Sequence, residues 1–176
     1  MQVARLALAT FQAGALMSAL RPRDRVRVPY RDKAVVVPSA GASAAIVGMS
    51  FGTDTWHWAC TSSFLVGAIV AFVAIESLGP SFGFFPRVRP VVTNGPYRLV
   101  RHPAYLGELV MTLSCAAAIV LEPASGSRIG AVAALLIVTL AGLVWRIRRE
   151  ERILDSDAGW SAYARATRHR LIPFIW

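Results

Sequence analysis

Cysteine is scarce in this 176-residue chain: Cys60 and Cys115 are the only two. Each sits inside an apolar run, so neither a disulfide framework nor a cysteine metal site is expected. The three histidines, His57, His102 and His169, lack the spacing of a zinc site, and no metal is predicted. Acidic residues are also few, 10 against 19 basic ones, and charged residues of both signs make up only 16% of the chain. Internal repeats and low-complexity tracts are absent. What fills the space is apolar: 55% hydrophobic residues and a mean hydropathy of +0.50, too much for a water-soluble domain of this length and appropriate to a chain dissolved in a bilayer.

A net charge of +9 elsewhere suggests nucleic acid. Here the basic residues lie between apolar runs, as loops facing an anionic membrane surface do, so no nucleic-acid partner is predicted. Crossing a bilayer takes about 20 apolar residues, and the chain offers five such runs. Residues 2–20 form the first, interrupted by Arg5; its rival reading is a cleaved signal peptide. The others cover 35–51, 59–78, 103–121 and 129–145, and Gly41, Ala45 and Gly48 in the second suit close helix contacts. All basic residues except Arg5 and Arg128 fall in three segments, 21–33, 81–102 and 146–170. By the positive-inside rule these three face the cytoplasm, which an odd number of spans with an outer N-terminus satisfies. The expected fold is all-α: a polytopic membrane protein of about five transmembrane helices with a cytoplasmic C-terminal helix. Residues 1–80 form a lipid-facing N-terminal part and 81–176 a core carrying the site. A multi-pass protein of a bacterial inner membrane, working at its cytoplasmic face among membrane lipids, fits this layout.

The most informative stretch is Gly95-Pro96-Tyr97-Arg98-Leu99-Val100-Arg101-His102-Pro103-Ala104-Tyr105-Leu106-Gly107-Glu108. Gly95-Pro96 breaks a preceding element, and Pro103 suits the first position of a helix. The positive N-terminal end of that helix is a ready place for a carboxylate or phosphate. His102 and Tyr105, with Glu108 or Leu109 beyond, share one face of it. The short turn around Glu122-Pro123 makes the next two spans an antiparallel hairpin, so this lip meets Arg149, Glu150 and Glu151 at the far end. Glu150 and Glu151 point about 100° apart; one aims into a shared pocket and the other pairs with an arginine. Arg98, Arg101 and Arg149 are the candidates to orient an anionic group.

Taken together, Gly95-Pro96-Tyr97-Arg98, then Arg101-His102-Pro103-Ala104-Tyr105-Leu106-Gly107, then Glu150-Glu151, then the aromatic pair Trp160 and Tyr163 with Arg170-Leu171-Ile172-Pro173, resemble the isoprenylcysteine carboxyl methyltransferase and phospholipid methyltransferase superfamily. The resemblance runs from Gly95 to Trp176. It departs at Ala158-Gly159, where Phe-Gly is usual, and at Trp160, where tyrosine is common. The resemblance implies S-adenosylmethionine as cofactor, enclosed by His102, Tyr105, Gly107, Glu150 and Glu151. It also implies methyl transfer to a lipophilic small molecule or lipid: an isoprenoid or lipid carboxylate, an amine or a thiol. A carboxylate acceptor needs positioning and water exclusion more than acid–base help, whereas an amine or thiol needs a base, for which His102 or a glutamate is placed. The alternatives are an NADPH-dependent membrane reductase of the sterol-reductase type, which shares the His-Pro-x-Tyr stretch and Ile-Pro, and a non-enzymatic membrane protein.

Overall fold

The structure, a computed structural model, describes residues 30–53, 56–79, 90–122 and 126–176. The expected first span at 2–20, most of the first basic segment, and Arg87 and Arg89 lie outside the described residues. Within them the chain is helical: α1 (Tyr30–Ser50), α2 (Trp58–Leu78), a single 3-10 turn (Gly95–Arg98), α3 (Pro103–Val120), α4 (Gly126–Leu154) and the short α5 (Ala158–Ala166). The helices α1 to α4 are long and apolar enough to cross a membrane. In that solvent a helix is favoured because it satisfies its own backbone groups.

The helix ends follow local chemistry. The His57 ring accepts a hydrogen bond from the Ala59 N–H at 3.3 Å and caps α2. Gly79, at φ +49°, closes the same helix by donating its N–H to the carbonyls of Ile75 and Glu76, a conformation glycine adopts without penalty. Pro103 opens α3 at the first position, and Asp157 caps α5 by accepting from the Trp160 N–H at 2.9 Å. At 29 residues, α4 is about 43 Å long at 1.5 Å per residue. That exceeds the roughly 30 Å apolar thickness of a bilayer, and its charged last turns project beyond it. One boundary differs from the sequence reading: α1 begins at Tyr30, taking Arg31, Asp32 and Lys33 into the helix rather than into a basic loop.

Side-chain size sets the packing. The closest pairs are α2 with α3 and α1 with α4, while α3 also rests on α1; the consecutive helices α3 and α4 touch only lightly. A Cβ added at Gly107 would stand 2.6 Å from the backbone N of Ala71 and the carbonyl O of Gly67, so the α2–α3 seam exists because two glycines let backbones meet. Gly142 of α4 does the same against Ser39 of α1. By contrast Gly41, Ala45 and Gly48, expected to mediate close contacts, lie mostly on the outer side of α1; Gly41 and Gly48 have nothing near them among the described residues. The contact face of α1 is instead Ala42, Ser43, Ile46 and Val47. Ile46 and Val47 join Phe64 and Ala71 of α2, Met111, Cys115 and Ile119 of α3, and Val132 of α4 in the central core. Hydroxyl pairs tie the bundle across helices, Ser43 with Thr112 and Ser63 with Ser114, both at 2.8 Å. Large apolar residues left exposed, including Leu65, Val66, Ile69 and Phe72 on α2 and Ile137 and Val138 on α4, are what a lipid-facing surface requires.

Candidate active site

The site forms where the start of α3, the end of α4 and the last residues of the chain meet. Gly95, at φ +57°, turns the chain into the 3-10 segment, where Tyr97 is buried and accepts at its carbonyl from the Tyr163 hydroxyl at 2.7 Å. Just before α3 the N–H groups of Arg101 and His102 donate to the carbonyls of His169 and Arg170, both at 2.9 Å. Residues 167–176 thus form a strap bound to the lip of α3, where the sequence suggested an open anion site. The strap folds on itself, with the N–H groups of Arg170 and Leu171 on the Trp176 carbonyl. It drives Leu171 between Leu109 of α3 and Leu143 and Ile147 of α4.

Two carboxylates at the end of α4 have different surroundings. Glu151 is buried: Oε1 is 3.0 Å from Arg101 Nη1 and 3.4 Å from His102 Nε2, and Oε2 is 2.7 Å from Arg170 Nε. Arg101 also donates to the carbonyl of Arg168 at 3.3 Å. Burial lowers its pKa from the usual guanidinium value, an effect the Glu151 carboxylate opposes. Glu150 is only half-buried. Its Oε2 accepts from the Tyr105 hydroxyl at 3.1 Å and lies 3.9 Å from His102 Nδ1.

Aromatic rings form a row beside Glu150. His102 and Tyr105 stack with centroids 5.6 Å apart and planes 20° apart; Trp160 lies 6.4 Å from His102, and Tyr163 5.5 Å from Trp160. At the other end the Arg146 guanidinium sits 4.7 Å over the Tyr105 ring, and its Nη1 is 3.6 Å from Glu108 Oε2.

The structure therefore brings together Arg101, His102, Tyr105, Glu150 and Glu151 from the sequence-derived set. It does not bring in the other three. Arg149 turns away and bonds Asp32 of α1 at 3.1 Å, Arg98 is exposed at the end of the 3-10 turn, and Gly107 faces α2. Three residues absent from that set join the site: Arg146, Glu108 and Arg170. Arg146 precedes Glu150 by one helical turn, a spacing that reads as a surface ion pair; burial, invisible in the sequence, sends it to Tyr105 and Glu108 instead. Among the described residues no group of histidine, cysteine and carboxylate side chains is arranged to hold a metal.

Among curated proteins none matches the chain. The family model of the isoprenylcysteine carboxyl methyltransferase (ICMT) family matches residues 59–156, from the start of α2 past the end of α4, and so contains Tyr105, Glu150 and Glu151. Four membrane-length helices, a polar site at one end of them and this match lead to one conclusion: the chain is an integral membrane methyltransferase and belongs to the isoprenylcysteine carboxyl methyltransferase family.

Proposed function

We propose that this methyltransferase uses S-adenosylmethionine, held at the joint of α3 and α4, and methylates a lipophilic acceptor that reaches the site from the bilayer. The observation that carries the reading is the half-buried Glu150, bonded by Tyr105 beside the His102 and Trp160 rings. Among the described residues both of its contacts fall on Oε2, which leaves Oε1 to accept from a ribose hydroxyl or an amino group. The ring row offers flat apolar faces to an adenine. Glu151, gripped by two arginines and His102, serves this wall indirectly by holding the strap. Bound there, S-adenosylmethionine supplies an electrophilic methyl group on a sulfonium. The chain's own contribution is orientation and exclusion of water, which account for most of the acceleration in such a displacement. The concentration of arginines at this end of the bundle supports a cytoplasmic site, in an inner membrane if the source is bacterial.

Calorimetry in detergent with S-adenosylhomocysteine tests the assignment. The parent binds it and not NADP⁺, and Glu150→Gln and Tyr105→Phe each weaken binding about tenfold, the value of one hydrogen bond to a charged group. Binding of NADP⁺ in place of S-adenosylhomocysteine, or unchanged affinity in both variants, overturns the reading.

A further inference from the structure

The strap that closes the site also carries apolar side chains turned outward. Phe174 is 92% exposed and Ile175 77%, and Leu99, shortly before the lip of α3, is 71% exposed. Their depth follows from α3. At 18 residues that helix is about 27 Å long, close to the roughly 30 Å apolar thickness of a bilayer, so Pro103 stands at one boundary of it. The N–H groups of Arg101 and His102, directly before Pro103, hold the strap through the carbonyls of His169 and Arg170. The strap therefore lies where acyl chains give way to head groups, and not out in water with the last turns of α4.

The tip of the strap is a closed turn. The N–H groups of Ile175 and Trp176 donate to the Ile172 carbonyl and that of Ile172 to the Trp176 carbonyl, while the Phe174 N–H donates to His169 Nδ1 at 3.1 Å. Phe174 sits at φ +66°, a left-handed conformation that a bulky residue adopts at a cost. Glycine would serve the backbone better, so the outward ring has work of its own. Charge around the tip is mostly of one sign. Arg98 of the 3-10 turn, Arg148 and Arg152 of α4, Arg165 of α5 and Arg168 of the strap are exposed, with Asp155 as the exposed acid on these segments. Apolar side chains at interfacial depth in a basic surround suit an anionic lipid surface. A soluble protein would have to displace the bilayer already beside them.

The tip is also linked to the site. The Arg170 guanidinium lies 5.6 Å over the Trp176 ring and its Nε is 2.7 Å from Glu151 Oε2, while Glu151 Oε1 faces Arg101 and His102. We propose that the Phe174–Ile175 tip docks in the anionic head-group layer of the adjoining leaflet, and that docking holds the strap against the cofactor wall, so that anionic lipid tightens cofactor binding. The coupling rests on the ring row being the cofactor site; the docking does not.

The full chain in nanodiscs of phosphatidylcholine, alone or mixed with phosphatidylglycerol, tests both parts. An environment-sensitive fluorophore on Ile175→Cys, with Cys60 and Cys115 buried, reports docking without cofactor. Phosphatidylglycerol should raise its quenching by lipid spin-labelled near the head group and lower its quenching by aqueous acrylamide. S-adenosylhomocysteine should bind about fivefold more tightly in the anionic discs, the contribution of one arginine at such a surface. Ile175→Asp, and the double variant Arg165→Gln with Arg168→Gln, should bind it nearly alike in the two kinds of disc. Arg128→Gln, at the other end of α4 beside Glu122, keeps the parent's lipid response. A tip equally open to acrylamide in both discs, equal affinity of the parent in both, or loss of the response in Arg128→Gln overturns the proposal. If the parent binds no S-adenosylhomocysteine in either disc, the cofactor reading and the coupling fall together, and quenching alone decides whether the tip docks.

Discussion

The two adjacent glutamates show how one residue's surroundings fix its work. Both oxygens of Glu151 are held by cations, one of them from the strap, so its removal leaves buried positive charge uncompensated. Breaking a buried network of this kind costs about 3 kcal/mol. Glu151→Gln should therefore lower the thermal midpoint and release the strap, seen as faster tryptic cleavage after Arg165 and Arg168. Glu150→Gln, at a residue whose contacts among the described residues are Tyr105 and His102, should leave both readouts near the parent; equal tryptic rates in the two variants would contradict the division of labour. Tyr163 gives a pH signature. Burial pushes its hydroxyl up to about 12, against an ordinary value near 10, and burial raises Tyr97 as well. Between those values the unfolded chain loses the proton while the folded chain keeps it. Stability is thus fully present below pH 10 and falls as pH rises toward 12. Tyr163→Phe should cost about 1 kcal/mol at neutral pH through the lost bond to the Tyr97 carbonyl, and should make the alkaline decline shallower in denaturant titrations, Tyr97 retaining its share.

At the scale of helices, the seam between α2 and α3 is the most extensive contact in the bundle, and its cause is a missing side chain. Gly107→Ala sets a methyl group against backbone atoms of Gly67 and Ala71, which cannot rotate aside, so the helices must part. Overpacking of this degree costs about 1–3 kcal/mol, measurable by unfolding, and shifts S-adenosylhomocysteine affinity only as far as α3 moves. Helix ends were legible in the sequence wherever one residue sets them, as at Pro103 and at the end of the 59–78 run, where Gly79 closes the helix. The start of α1 was not, because Arg31-Asp32-Lys33 reads as solvated loop until Arg149 arrives from 117 residues away. The same limit applied to small residues: Gly41 and Gly48 have the composition of a contact face, but which face of α1 meets α3 depends on rotation about the helix axis, and no local pattern fixes it.

At the scale of the whole molecule, the described residues form two close helix pairs, α2 with α3 and α1 with α4, joined through α3 on α1 and bridged at the charged end by the strap. Convergence of His102 and Tyr105 with Glu150 and Glu151 was legible because a short turn and long apolar runs force antiparallel neighbours. The light contact of α3 with α4, and with it the inward turn of Arg146, was not legible, because it follows from α4 packing on Ser39 of α1. This arrangement makes α1, which lies outside the matched residues 59–156, part of the site's support. Its Asp32 is 1% exposed and holds Arg149 beside Glu150. Asp32→Asn leaves that guanidinium without its counter-charge, at a cost of about 3 kcal/mol, and frees the end of α4 that presents Glu150 to Tyr105. S-adenosylhomocysteine affinity should fall severalfold together with the thermal midpoint. The exchanged pair Asp32→Arg with Arg149→Asp should recover a large part of both, while Glu76→Gln, at an exposed position on α2, should change neither. Were Asp32→Asn to bind and melt like the parent, α1 would be only a lipid-facing brace, and the positioning of Glu150 would belong to α3, α4 and the strap alone.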